Sequence, residues 1–227
     1  MWTGLGLLLA LCVLSRGRAE SQGKSTRCKE PPTWYIGEEN PMLESRGKVT
    51  VVALLQASSF YIILYVSRMD DLHLKLENEG LVNISYMIVN HQGEYSQHKH
   101  NLLKQRVSEF IPVYKQDMEK PNVWNLLNGN KDDFLIYDRC GRLVYHLGLP
   151  YSVLHFPYME EAIRIAFCET RCGNCSFTVK DINEICNRTE NTDEPVEEPP
   201  PTSVPDPPQQ NPQHHGAHRH HRQHGHQ

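Results

Sequence analysis

Apolar positions along the chain fall into short continuous runs divided by polar turns. KVTVVALLQ (48–56) is β-branched and apolar without a helical period, which predicts a central strand buried on both faces. Ala57-Ser58-Ser59 breaks it. Met69, Leu72, Leu74 and Leu76 then recur at helical spacing through SRMDDLHLKLENEG, with Gly80 placed to stop the helix. LVNISYMIVN (81–90) predicts a second strand, closed by the turn residues Asn90-His91-Gln92-Gly93. Residues 95–109 predict a helix with Leu102, Leu103 and Val107 on one side. Phe134–Tyr137 and Leu143–His146 flank Asp138-Arg139-Cys140-Gly141-Arg142, a hairpin signal with glycine available for positive φ. Met159–Phe167 predicts a last helix with Ala162, Ile163 and Ala166 inward.

A crossover between the first two strands makes them parallel, and the hairpin adds antiparallel strands. The expectation is an α/β fold, a mixed sheet flanked by helices. The thioredoxin-like plan is one of several layouts with that order.

The ends read differently. TGLGLLLALCVL (3–14) is too short for a bilayer span of about 20 residues and is followed by SRGR and Gly17-Arg18-Ala19. That pattern predicts a signal peptide over 1–19 and a secreted, extracellular mature chain without membrane insertion. Residues 20–47 are polar and contain Pro31, Pro32 and Pro41, so they are expected to form an irregular leader tied by Cys28 to a domain over 48–186. Residues 187–213 are acidic and Pro-rich and are expected to be a disordered linker, followed by a His-rich, equally disordered tail over 214–227.

Composition narrows the partners. The 227 residues carry a formal net charge of -4, the wrong sign for a generic nucleic-acid binder. Without Cys12 of the leader peptide six cysteines remain, an even set that reads as disulfides in an oxidising compartment. The sequons at Asn83, Asn174 and Asn187 are usable for glycosylation in the same compartment.

Four places are candidates for chemistry. In a thioredoxin-like fold the reactive site is the junction after the first central strand, where helix N–H groups stabilise a thiolate or selenolate. Here it reads Ala57-Ser58-Ser59-Phe60-Tyr61-Ile62, with no sulfur and no His, Asp, Glu or Lys to activate a serine. Cys172-Gly173-Asn174-Cys175 has redox spacing but follows a helix end, where the dipole disfavours a thiolate, so structural bridges are expected. The preferred pairing is Cys172 with Cys175, Cys168 with Cys186 and Cys28 with Cys140, one of the fifteen connectivities open to six cysteines. Zinc on the four carboxy-terminal cysteines is the alternative, opposed by secretion and by a sequon between two ligands. Cys140, flanked by Arg139 and Arg142, is a nucleophile only if free. In the tail, His214, His215, His218, His220, His221, His224 and His226 are ligands for divalent metal ions when neutral. Protonated, they join Arg219 and Arg222 in a cationic stretch for heparin or other sulfated glycans; the third reading is a plain solvated end. His73, His91, His98, His100, His146 and His155 are scattered and read as surface or hydrogen-bonded residues.

VTVVALLQAS (49–58), NISYMIVNHQG (83–93), VWNLLNGNKDDFLIYDRCGRLVYHLGLPYS (123–152) and CETRCGNCSF (168–177) together resemble the amino-terminal domain of the selenoprotein P family. The resemblance extends over nearly the whole chain after the signal, including the His-rich segment. It implies a thioredoxin-like fold, a role in extracellular antioxidant defence and selenium supply, and a cell-surface receptor as partner. The family pattern places selenocysteine, two residues and cysteine directly after QAS, whereas this sequence has Ser59 and Ile62 there. It also ends at Gln227 without the family's selenocysteine-rich extension. Selenium would enter only if position 59 is selenocysteine written as another letter; otherwise no cofactor is required and the oxidoreductase or peroxidase activity is in doubt. The resemblance also makes Pro112 the candidate cis proline opposite the junction. The alternative function is a redox-inert extracellular binding module that keeps only the scaffold.

Overall fold

Every residue of Val49–Leu55 (β1) is buried, as a strand covered on both faces must be. The computed structural model describes residues 26–190. β1 pairs in parallel with Ile84–Asn90 (β2), which pairs in parallel with the short Val113–Tyr114 (β3). On its other side β1 pairs antiparallel with Asp133–Tyr137 (β4), and β4 with Leu143–Leu147 (β5). The sheet order is therefore β3-β2-β1-β4-β5. A βαβ unit followed by a hairpin and a helix in this order is the thioredoxin-like plan.

Strand alternation sorts the core into two layers. Val49, Val51, Ala53 and Leu55 face one layer with Ile62, Val66, Met69 and Leu76 of Ile62–Asn78 (α2). Met159, Ala162, Ile163, Ala166 and Phe167 of Tyr158–Cys168 (α6) complete it. Val52 and Leu54 face the second layer, with Trp124 of Val123–Leu126 (α5) and Leu127. Trp34 and Met42 close that layer, and Trp34 is only 2% exposed. The segment 26–47, expected as an irregular leader tied on by Cys28, is thus part of the domain: its single helical turn, Pro41–Glu44 (α1), is capped by the Asn40 side chain, and the even face of β1 needs the cover it supplies.

Other elements shift as well. α2 begins at Ile62, ahead of the helical pattern that opens at Ser67, and Leu74 points outward at 52% exposed. The helix expected over 95–109 is broken at Lys99 into Glu94–His98 (α3) and His100–Lys104 (α4). His100 is buried, and that burial, helped by Lys115 and Lys104, holds its imidazole below the ordinary histidine range. Ile182–Glu190 (α7) has no counterpart in the sequence reading. α2 and α6 are clamped by Glu160, which takes Lys75 at 2.7 Å and Arg164 at 2.8 Å, while Arg164 also pairs with Glu79. Burial raises the Glu160 carboxyl, but the hydrogen bonds and charges of Lys75 and Arg164 prevail and hold it below its ordinary value. No helix among the described residues is long and apolar enough to cross a membrane.

Candidate functional site

The junction between β1 and α2 is held by one buried amide. Asn90, the last residue of β2, is fully buried; its Oδ1 accepts from the Ala57 N–H at 3.0 Å and from Ser96 Oγ at 2.7 Å. Its Nδ2 donates to the Ser96 carbonyl at 3.0 Å. The Asn90 carbonyl accepts from Gln116 Nε2 at 2.7 Å, and Gln116 Oε1 accepts from the Val123 N–H at 2.7 Å. One side chain therefore ties the end of β1 to α3, and its backbone reaches on to α5. The sequence predicts Asn90 at the end of the second strand, where the turn begins; the one signal of its larger role is a polar residue ending an otherwise apolar strand.

Within the junction, the Ser59 N–H donates to the Gln56 carbonyl at 2.8 Å and the Ile62 N–H reaches the Ser59 carbonyl at 3.4 Å. The backbone turn that would present a reactive atom ahead of a helix is intact. Ser59 Oγ has no hydrogen-bond partner among the described residues, so nothing there raises its nucleophilicity. Ile62 opens α2 and is 8% exposed, packed into the first core layer. The junction brings Ser59 and Ile62 into one turn at the start of α2, as the sequence places them.

Pro112 is not the cis proline. The cis peptide among the described residues is Leu149–Pro150. The Pro112 carbonyl instead accepts from the Ile88 N–H at 2.9 Å, an extended lead into β3 that ordinary trans geometry supplies. Ahead of β4 the chain turns at Asp132, in the left-handed region at φ 65, with its N–H on the Leu54 carbonyl at 2.9 Å.

The six cysteines among the described residues are all paired, and two of the three pairs differ from those expected. The bridges are Cys28–Cys172, Cys140–Cys175 and Cys168–Cys186. Hydrogen bonds to backbone carbonyls explain the first two. The Cys28 N–H donates to the Leu143 carbonyl at 2.7 Å, laying the leader beside β5. Arg142 then donates to the carbonyls of Cys172 at 2.7 Å and Gly173 at 2.9 Å, folding the loop after α6 over the β4–β5 turn. Cys172 meets the leader and Cys175 meets Cys140 in the turn. The redox-like spacing is thus split between two partners, Cys140 is not a free nucleophile, and the four cysteines of the zinc alternative are committed to sulfur. No group of ligands suited to a metal ion occurs among the described residues.

Asn83, Asn174 and Asn187 are all exposed. His146, read as scattered, pairs through Nε2 with Asp133 Oδ2 at 2.8 Å. The seven tail histidines, the signal segment 1–19 and nearly all of the linker over 187–213 lie outside the described residues.

A family model described as "Selenoprotein P, N terminal region" matches residues 23–227. The chain belongs to the selenoprotein P family. It is 65% identical over 186 residues to selenoprotein P of Rattus norvegicus, covering 82% of this chain and 48% of the rat protein. Identity to the selenoprotein P of Homo sapiens is 58%, over 88% of this chain and 53% of the human one. Selenoprotein Pb of Danio rerio is 44% identical over 82% of this chain and 71% of its own length. The chain spans about half the length of the mammalian selenoprotein P sequences it matches. Among solved structures, yeast Sco1 is similar at a TM-score of 0.42 and 11% identity, over 54% of this chain and 88% of that one. A thioredoxin-like protein from Aeropyrum pernix is similar at 0.42 and 13%, over 54% and 80%.

Proposed function

We propose that this chain is an extracellular, redox-silent binding member of the selenoprotein P family, with its His-rich tail as a site for heparin-like sulfated glycans or divalent metal ions. The observation that carries this reading is the junction itself: a preserved turn bearing Ser59 and a core-packed Ile62, on a body whose described cysteines are all engaged in bridges. Secretion and glycosylation draw support from the signal-like leader, the bridges and the three exposed sequons. The family's antioxidant and selenium-supply roles pass to this chain only if residue 59 carries selenium. Peptide mass analysis of the secreted protein is expected to give serine at position 59, and assays with hydrogen peroxide and a dithiol to give no turnover above the uncatalysed rate. Selenium at that residue, or turnover by the purified chain, overturns the reading.

The tail is tested separately. With a reference histidine pKa near about 6.5, its positive charge grows as pH falls. Retention on immobilised heparin is expected to be stronger at pH ~6 than at pH ~8, to be released by salt, and to lose its pH dependence when residues 214–227 are deleted. Equal retention by the deleted chain removes the tail from the proposal.

A further inference from the structure

Two neighbouring segments leave large apolar side chains exposed. Before and along the first turn of α2, Phe60 is 90% exposed, Ile63 50% and Leu64 56%; on the loop leading to α6, Leu149 is 60% exposed. Between these segments runs a groove of about 650 Å³ whose apolar walls are Tyr61, Leu64, Tyr65, Leu149, Val153 and Leu154. Its size falls within the roughly 300–1,000 Å³ of small-molecule sites. Its ionisable lining is Arg68, Lys131 and His155 against the single carboxylate of Asp132. Asp132 is already engaged by Lys131 at 3.4 Å, and its side chain is only 10% exposed. Arg68 meets Asp71 no closer than 3.9 Å, which leaves its guanidinium with donors to spare. Burial, and after it the Asp132 charge, raise the Tyr65 phenol, so that wall stays neutral.

We propose that this groove binds a free fatty acid, its acyl chain against the α2 and 149–154 walls and its carboxylate on Arg68 and Lys131. An extended peptide would bring backbone N–H and C=O groups that these walls cannot satisfy, at a cost for each one buried. A hydrocarbon chain brings none. The excess of cations over carboxylates at the rim selects an anionic head, and the planar Arg68 guanidinium suits a carboxylate in a forked contact. Binding here is independent of whether residue 59 turns over and of the tail.

The test is titration calorimetry of the full secreted chain with octanoate, decanoate and dodecanoate, each below its micelle concentration. One equivalent is expected to bind, with Kd falling about fourfold per added methylene as each is buried. Arg68→Gln is expected to weaken dodecanoate about fivefold while leaving dodecanol unchanged. Leu64→Glu should abolish both, and because that side chain is exposed its folding is expected to survive. Leu149→Glu, on the opposite wall, repeats the test should Leu64→Glu melt early. No saturable binding, an affinity indifferent to chain length, or full binding by both glutamate variants overturns the proposal. So does a wild-type dimer in sedimentation that Leu64→Glu converts to monomer without any fatty-acid uptake by the parent, since that face would then belong to a second copy.

Discussion

Asn90→Ala is expected to lower the unfolding free energy by about 4 kcal/mol. The estimate follows from what the amide leaves behind. The Ala57 N–H, the Ser96 hydroxyl and the Ser96 carbonyl all lose a partner at positions that are at most 6% exposed. Each buried polar group left unpaired costs about 1–3 kcal/mol, and three of them in one network place the loss at the upper end of single-site effects. Ser96→Ala removes the hydroxyl bond and leaves Asn90 Oδ1 still paired with Ala57, so a loss of about 1 kcal/mol is expected there. Urea unfolding at constant slope reads both values, and hydrogen exchange at the Ala57 amide should quicken in Asn90→Ala but not in Ser96→Ala. A loss under about 1 kcal/mol for Asn90→Ala would mean that the junction is held by its own turn rather than by the amide.

β1 was legible because a short, β-branched apolar run stopped by Ala57-Ser58-Ser59 suits a strand covered on both sides, and all seven of its residues are buried. The hairpin was legible from Gly141, which sits at φ +76 in the turn. The junction was legible because its chemistry depends on residue types at fixed positions after a strand, and Ser59 and Ile62 are read directly. Three features were hidden for a shared reason. The cover supplied by Trp34, the hub role of Asn90 and the partners of Cys172 and Cys175 all depend on which distant segment arrives beside each residue. Local pattern carries no information about that arrival. The leader is a case in point: a tie through Cys28 is expected from the sequence, but the backbone hydrogen bonds that Cys28 and Lys29 exchange with Leu143 depend on β5 arriving beside them.

Removing the Cys28–Cys172 bridge, as Cys28→Ala with Cys172→Ala so that no free thiol remains, is expected to be the most destabilising change of all. The bridge closes a sequence separation of 144 residues, for which the chain-entropy relation gives about 5 kcal/mol. Cys168–Cys186 spans only 18 residues, and its paired alanine variant is expected to lose about 3 kcal/mol. A domain of ordinary stability holds about 5–15 kcal/mol in total, so the first variant sits near the edge of folding and the second does not. The leader should detach first. Beside the bridge it is held to β5 by two backbone hydrogen bonds and by Arg27 over the Tyr145 ring, and with it would go Trp34, exposing the second core layer along Val52 and Leu54. Tryptophan fluorescence should therefore report a partial transition in Cys28→Ala/Cys172→Ala that is absent from Cys168→Ala/Cys186→Ala. The order of the two losses also tests the bridge map. Were Cys172 joined to Cys175 and Cys28 to Cys140, Cys172→Ala would open only the short loop between residues 172 and 175 and lose far less than Cys28→Ala, whereas the Cys28–Cys172 bridge makes the two single variants lose about the same.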